Sequence, residues 1–93
     1  MRYLKTRWHH SHPDEPLWIY SEFDDDRWET RKVEVFGGGC IGYAGPDGAS
    51  DGTDLSELPI PTREEIDAIG EFESHEITSD EFERVWAARP LAV

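Results

Sequence analysis

Four histidines and one cysteine are the side chains best suited to hold a metal or attack a substrate, and His9, His10 and His12 stand close together. On a strand, residues two apart point the same way, so His10 and His12 would share a face, with Asp14 or Glu15 adding oxygen. Pro13 interrupts that pattern, and no second cluster supplies partners at a zinc-type spacing, since His75 is isolated. His10 and His12 are therefore the only metal pair to follow. The expected role is that of rim histidines, one of them packed on Trp8. No cofactor is implied.

The remaining chemistry is thinner. Cys40 with a histidine is the sole Cys–His option, and a lone cysteine in a strand after glycines is expected to be a small buried hydrophobe. Asp47-Gly48-Ala49-Ser50-Asp51-Gly52 has the flavour of a calcium loop, but Ala49 stands where a ligand is needed and Leu58 where the closing acid belongs. Asp24-Asp25-Asp26 reads as a solvated turn. Gly37-Gly38-Gly39 lacks the Gly-Lys-Ser/Thr ending of a phosphate loop and suits a tight or bulged hairpin connection instead. Carboxylates are so abundant that a pair within catalytic reach is expected by chance. No catalytic residue is assigned. An enzyme would have to use His10, His12 and nearby acids in a concave pocket.

The elements that must position these groups begin with residues 17–44. Leu17–Phe23, Arg27–Phe36 and Cys40–Ala44 read as three strands, broken where Asp and Gly favour turns. Residues 3–10 predict an earlier strand with Leu4, Thr6, Trp8 and His10 facing the core, ended by Pro13 and Pro16. In the third strand neither alternating set is purely apolar, so its inward face is expected to change along its length, for instance at a bulge. Residues 45–61 read as a surface loop rich in Gly, Pro, Asp and Ser. Thr62-Arg63-Glu64-Glu65 forms a capping box, followed by Ile66 and Ile69 on one helical face and by Gly70 as a stop. Thr78-Ser79-Asp80-Glu81 repeats the box before Phe82, Val85 and Trp86, and Pro90 closes that helix. EFESHEI, between the helices, reads as extended or irregular. The expectation is an α+β fold, a four-stranded antiparallel β-meander followed by two short C-terminal helices packed on one face. Residues 1–93 are expected to form a single domain: meander to 44, loop to 61, helical part to the end.

Charge separates function classes. The chain carries 21 acidic and nine basic residues, a net charge of −12. Residues 1–36 are near balance at −2, whereas residues 37–93 hold thirteen acids against three bases, a net of −10. Such a field repels phosphates, which argues against direct nucleic-acid binding, and it steers a basic partner. No apolar run of membrane-spanning length occurs, and no secretory leader pattern follows Met1, so no membrane contact is expected. One cysteine excludes an internal disulfide. A cytoplasmic protein is expected.

MRYLKTRWHHSHPDEPLWIYSEFDDDRWETRKVEVF, continuing through GYAG and the EITSDEFERVWA ending, resembles a family of small uncharacterised bacterial proteins of about this length. Its specific parts are the corner at residues 12–16, Ile19-Tyr20-Ser21-Glu22 and Arg31-Lys32-Val33-Glu34. The resemblance implies no activity and carries no catalytic residue. In size and charge alone the chain is similar to immunity proteins that neutralise toxins.

Two readings follow. In the first, the chain is a protein-binding domain, most concretely an immunity-type inhibitor occluding a basic toxin or nuclease. Glu64, Glu65, Asp67, Glu71, Glu73 and Glu76 would supply the field, and an exposed Trp or Tyr the anchor. In the second, it is a small-ligand or regulatory module using Trp18, Tyr20, Trp28 and Arg31 on the sheet.

Overall fold

The computed structural model describes residues 1–50 and 52–90. Asp51, part of the 47–52 stretch, and residues 91–93 at the end of the expected domain lie outside the described residues. Strand β1 (Arg2–Trp8), β2 (Pro16–Phe23), β3 (Glu29–Phe36) and β4 (Ile41–Gly45) form the expected antiparallel meander. Among the described residues two further strands enlarge it to six: β5 (Gly48–Ala49) beside β4, and β6 (Phe72–Glu76) beside β1, in the order β5-β4-β3-β2-β1-β6. The expectation of four strands is thus corrected. Phe72–Glu76 shows no apolar alternation, because only Ser74 is buried along it, and its place is set by the open edge of β1.

The helices are α1 (Arg63–Asp67) and α2 (Ser79–Ala87). They lie on opposite faces of the sheet, not on one. Leu4 and Thr6 of β1 line the face that is met by Ile66 of α1 and by Ile69 just beyond it. The alternate residues, Tyr3 and Lys5, meet α2: Tyr3 stacks on Phe82 at 5.2 Å between ring centroids, and Lys5 pairs with Glu81 at 3.2 Å. Strand β6 stands between the helices in the chain, and its pairing with β1 carries the backbone round the sheet edge from one face to the other.

Both helix starts follow the capping signals. Thr62 accepts from the Glu65 backbone N–H and Glu65 returns the bond, a complete box that holds the Glu65 carboxyl below its usual range. Thr78 caps α2 in the same way, but Glu81 reaches Lys5 instead of closing the box. Gly70, at φ 86°, follows α1 where a left-handed residue is needed.

The core has one part on each face. Leu4 and Phe23 belong to the α1 face, and Val33 and Phe82 to the α2 face; all are essentially inaccessible. Residues 45–61 contribute too: Thr53 is buried against Gly42, where a Cβ would come within 2.2 Å of its Oγ1. The radius of gyration is 12.6 Å. Among the described residues, no helix is long and apolar enough to cross a membrane.

Candidate functional site

An apolar concavity with a buried charge lies on the α1 face. It has a volume of about 250 Å³, and Leu4, Ile19, Ile60, Ile66 and Phe72 supply most of its apolar wall. Thr6 and Ser21 add hydroxyls, and Glu29 and Lys32 lie on the same lining.

A β-bulge sets the position of Glu29. The β2–β3 register runs Glu22↔Arg31 and then Phe23↔Glu29, leaving Thr30 without a counterpart. Simple alternation would have put Glu29 on the face of Arg31, but the extra residue turns it to the opposite side, with Phe23. There its side chain is 0% exposed. Oε1 accepts from the Ser56 backbone N–H at 2.8 Å and pairs with Lys32 Nζ at 3.1 Å, while Oε2 has no hydrogen-bond partner among the described residues. Lys32 Nζ also donates to the Asp54 carbonyl at 2.9 Å.

Two clips hold the walls. Arg27 adopts φ 69° at the end of the Asp24 turn, a left-handed conformation that non-glycine residues seldom take. Asp24 Oδ1 fixes that turn by accepting from the backbone N–H groups of Asp26 and Trp28. Thus aimed, Arg27 donates to the carbonyls of Ile60 and Pro61, both at 2.6 Å, and its own carbonyl accepts from Ile60 N–H at 2.7 Å. The guanidinium lies 4.7 Å from the Phe23 ring centre, and burial pushes its pKa down. On the other side, Asp67 accepts from both the backbone N–H and the hydroxyl of Ser74 at 2.8 Å, which holds its carboxyl below the usual range. Arg63 donates to the Ser74 carbonyl at 2.9 Å.

Residues 2–90 match the family model described as "Domain of unknown function (DUF6881)". The chain belongs to the DUF6881 family. The match spans nearly all of the 93 residues, as the resemblance to a small uncharacterised family implied. No curated protein and no solved structure matches the chain.

In this DUF6881 chain the residues singled out from sequence are dispersed. Arg31 lies beneath α2, paired with Glu22 at 2.5 Å and with Glu83, its guanidinium 4.9 Å from the Phe82 ring centre and 5.0 Å from that of Trp86. Hydrogen bonds from Arg31 hold the Glu22 carboxyl below its usual range, and the pairing raises Arg31. Burial first, and then the nearby Glu22 carboxylate, raise the Tyr3 phenol. Trp18 and Tyr20 are half-buried on the same face, with Lys5 and Arg7 over the Trp18 ring at 5.6 and 5.8 Å. Trp28 is 45% exposed near the Asp24 turn, away from both.

The acidic set also divides. Glu65 is committed to its cap and Asp67 to Ser74; Glu73 meets His9 and His75, and Glu76 meets Arg2. The carboxylates of Glu64 and Glu71 make no hydrogen bond or ion pair among the described residues. His10 stacks edge-on against Trp8 at 4.6 Å, as expected for a rim histidine. Its Nε2 donates to the Pro16 carbonyl and its Nδ1 accepts from His12 N–H, so neither nitrogen is free for a metal. Among the described residues, no group of three metal-ligating side chains is assembled. Cys40 is exposed before β4, not buried as expected, because the Gly37–Gly39 turn ends just ahead of it.

Glu29 is the residue that sequence reasoning missed. Its one signal was the inconsistent alternation of Arg27–Phe36, which gives no means of locating the bulge.

Proposed function

We propose that this domain is a protein-binding module for a basic partner, with the α1 face as its contact surface. One observation carries the reading. Ile69, 59% exposed, lies on the cleft, and Leu58, 72% exposed, lies in the segment that crosses it. The exposed acids Glu57 and Glu71 adjoin the lining residues Ser56 and Phe72 in the chain, and Glu64 lies two residues before Ile66. An apolar centre within a charged rim is the anatomy of a recognition surface, and negative charge at the rim accelerates encounter with a basic protein. The narrowest form of the reading is an immunity-type inhibitor that occludes a basic toxin or nuclease; the net charge of −12 supports it. We read the location as cytoplasmic, supported by a single cysteine that leaves no disulfide pair within the chain.

The test is a titration against basic proteins encoded beside it, using wild type, Leu58→Asp and Ile69→Asp at two ionic strengths. Binding that weakens with salt and falls about tenfold or more in each variant supports the reading. Salt-insensitive binding, or full affinity in both variants, contradicts it.

A further inference from the structure

We propose that α1 is a releasable latch over the free edge of β6: Arg63 and Asp67 hold the main-chain groups of Ser74 that a further strand would use, and withdrawal of the helix lets β6 of a second copy of this chain pair there, antiparallel. The inference is independent of the reading above, which concerns a face of the sheet and not its edge.

The register decides which groups point outward. His9 N–H donates to the Glu71 carbonyl and Ile77 N–H to that of Tyr3. The odd-numbered residues of this stretch therefore turn their main chain towards β1, and Phe72, Ser74 and Glu76 turn theirs away. The opposite edge strand, β5, is only two residues long. Unpaired edge groups are a template for another strand, and natural sheets cover them. At Ser74 the cover is made of side chains. Its N–H donates to Asp67 Oδ1 at 2.8 Å and its carbonyl accepts from Arg63 at 2.9 Å, standing in for the two bonds of a neighbouring strand. The outward groups of Phe72 and Glu76 have no main-chain partner among the described residues. Ser74 is 1% exposed, so a strand reaches it only after the helix has moved.

The latch is held lightly. None of the five residues of α1 is buried, and a helix this short has no stability of its own. Ile66 on the cleft wall and the hitch to Ser74 are what dock it, and such a segment opens at less cost than the whole fold. The strand beneath is complementary to itself. A two-fold axis at Ser74 sets Ser74 against Ser74 and Phe72 against Glu76, and each matched pair exchanges two main-chain bonds. The same register puts Glu73 opposite His75 of the second copy, twice. A shift by two residues loses a main-chain pair and sets Glu73 against Glu73 or His75 against His75.

The experiment compares wild type, Arg63→Ala/Asp67→Ala and Asp67→Asn by sedimentation equilibrium at physiological salt, with amide exchange read along β6. The double variant loses one base and one acid, so the net charge of −12 is unchanged. Asparagine keeps the oxygen that accepts from Ser74. Wild type and Asp67→Asn should hold the mass of one chain. The double variant should approach twice that mass as concentration rises, with exchange at Phe72 and Glu76 slowed about tenfold or more. A folded double variant that stays single overturns the proposal, as does association that leaves Phe72 and Glu76 exchanging freely. A wild type already paired through this edge overturns it too. Should the double variant fail to fold, wild type alone decides. The Ser74 amide should open together with those of Ile66 and Ala68, with protection about tenfold or more below that of His75, whose N–H faces β1. Equal protection of Ser74 and His75 means that α1 leaves only on global unfolding, and the latch is refuted.

Discussion

Replacing Arg31 by Met should cost about 3 kcal/mol of stability, the low end of the ~3–5 kcal/mol lost when one partner of a buried pair is removed. The low end follows from the geometry. Glu22 and Arg31 side chains are 8% and 18% exposed, so the pair is dry but not sealed. Glu22 retains the Thr30 hydroxyl at 2.8 Å, and the methionine stem keeps much of the contact with Phe82 and Trp86. A loss of that size is a large share of the ~5–15 kcal/mol typical of a domain. At roughly 4–8 °C per kcal/mol for this chain length, the midpoint should fall by about 12–24 °C.

The pH dependence gives the sign. Glu22 has a folded-state pKa below its usual 4.5, so its contribution is complete above 4.5 and is lost as pH falls through the lower folded value. The gap between wild type and Arg31→Met should therefore be widest near about pH 7 and shrink towards about pH 3. Urea unfolding followed by tryptophan fluorescence at both pH values measures it, with Glu22→Gln and the double variant completing a cycle. A coupling energy of about 1–3 kcal/mol is expected. A loss under about 1 kcal/mol, as for exposed pairs, or a gap independent of pH, would refute the clamp.

Two other variants test the cleft and the core. Arg27→Ala and Arg27→Gly both remove the guanidinium bonds to the Ile60 and Pro61 carbonyls and keep the main-chain carbonyl that accepts from Ile60 N–H, so amide exchange at Ile60 should accelerate in each only through loosening of the segment. Glycine should be the more stable by ~1 kcal/mol, because φ 69° strains only the alanine; equal stability would contradict the left-handed assignment. Gly42→Ala should destabilise by ~1–3 kcal/mol, since its Cβ would lie 2.2 Å from Thr53 Oγ1. The cost should drop in a Thr53→Ala background, and an unchanged cost would place the strain elsewhere.

Much of the frame was legible because it is local. Strands β1 to β4 announce themselves by alternation and by Asp and Gly breaks, and Thr62 and Thr78 mark helix starts through the bonds their hydroxyls make. The illegible parts depend on what a segment meets in space. Strand β6 is polar apart from Phe72 and takes its place from the edge that β1 leaves open. That insertion also separates the helices, so two amphipathic segments that read alike cover different faces. Arg31 reads as a sheet-surface cation, yet Glu22 and α2 enclose it. Glu29 depends on one unpaired residue, Thr30, which turns it to the face opposite Arg31. Glu65 and Asp67, read from sequence as part of a charge field, make structural bonds, which composition does not distinguish.

The central claim is that the α1 face receives a basic partner. The most direct measurement is an amide-resolved NMR titration of the full-length chain with a lysine-containing basic peptide, at low and at physiological salt. Shifts centred on Thr6, Ile66, Ile69 and Phe72, saturable and weakened by salt, are the predicted result. Shifts centred on Trp18 and Tyr20 of the other face, or none at either salt concentration, would contradict it.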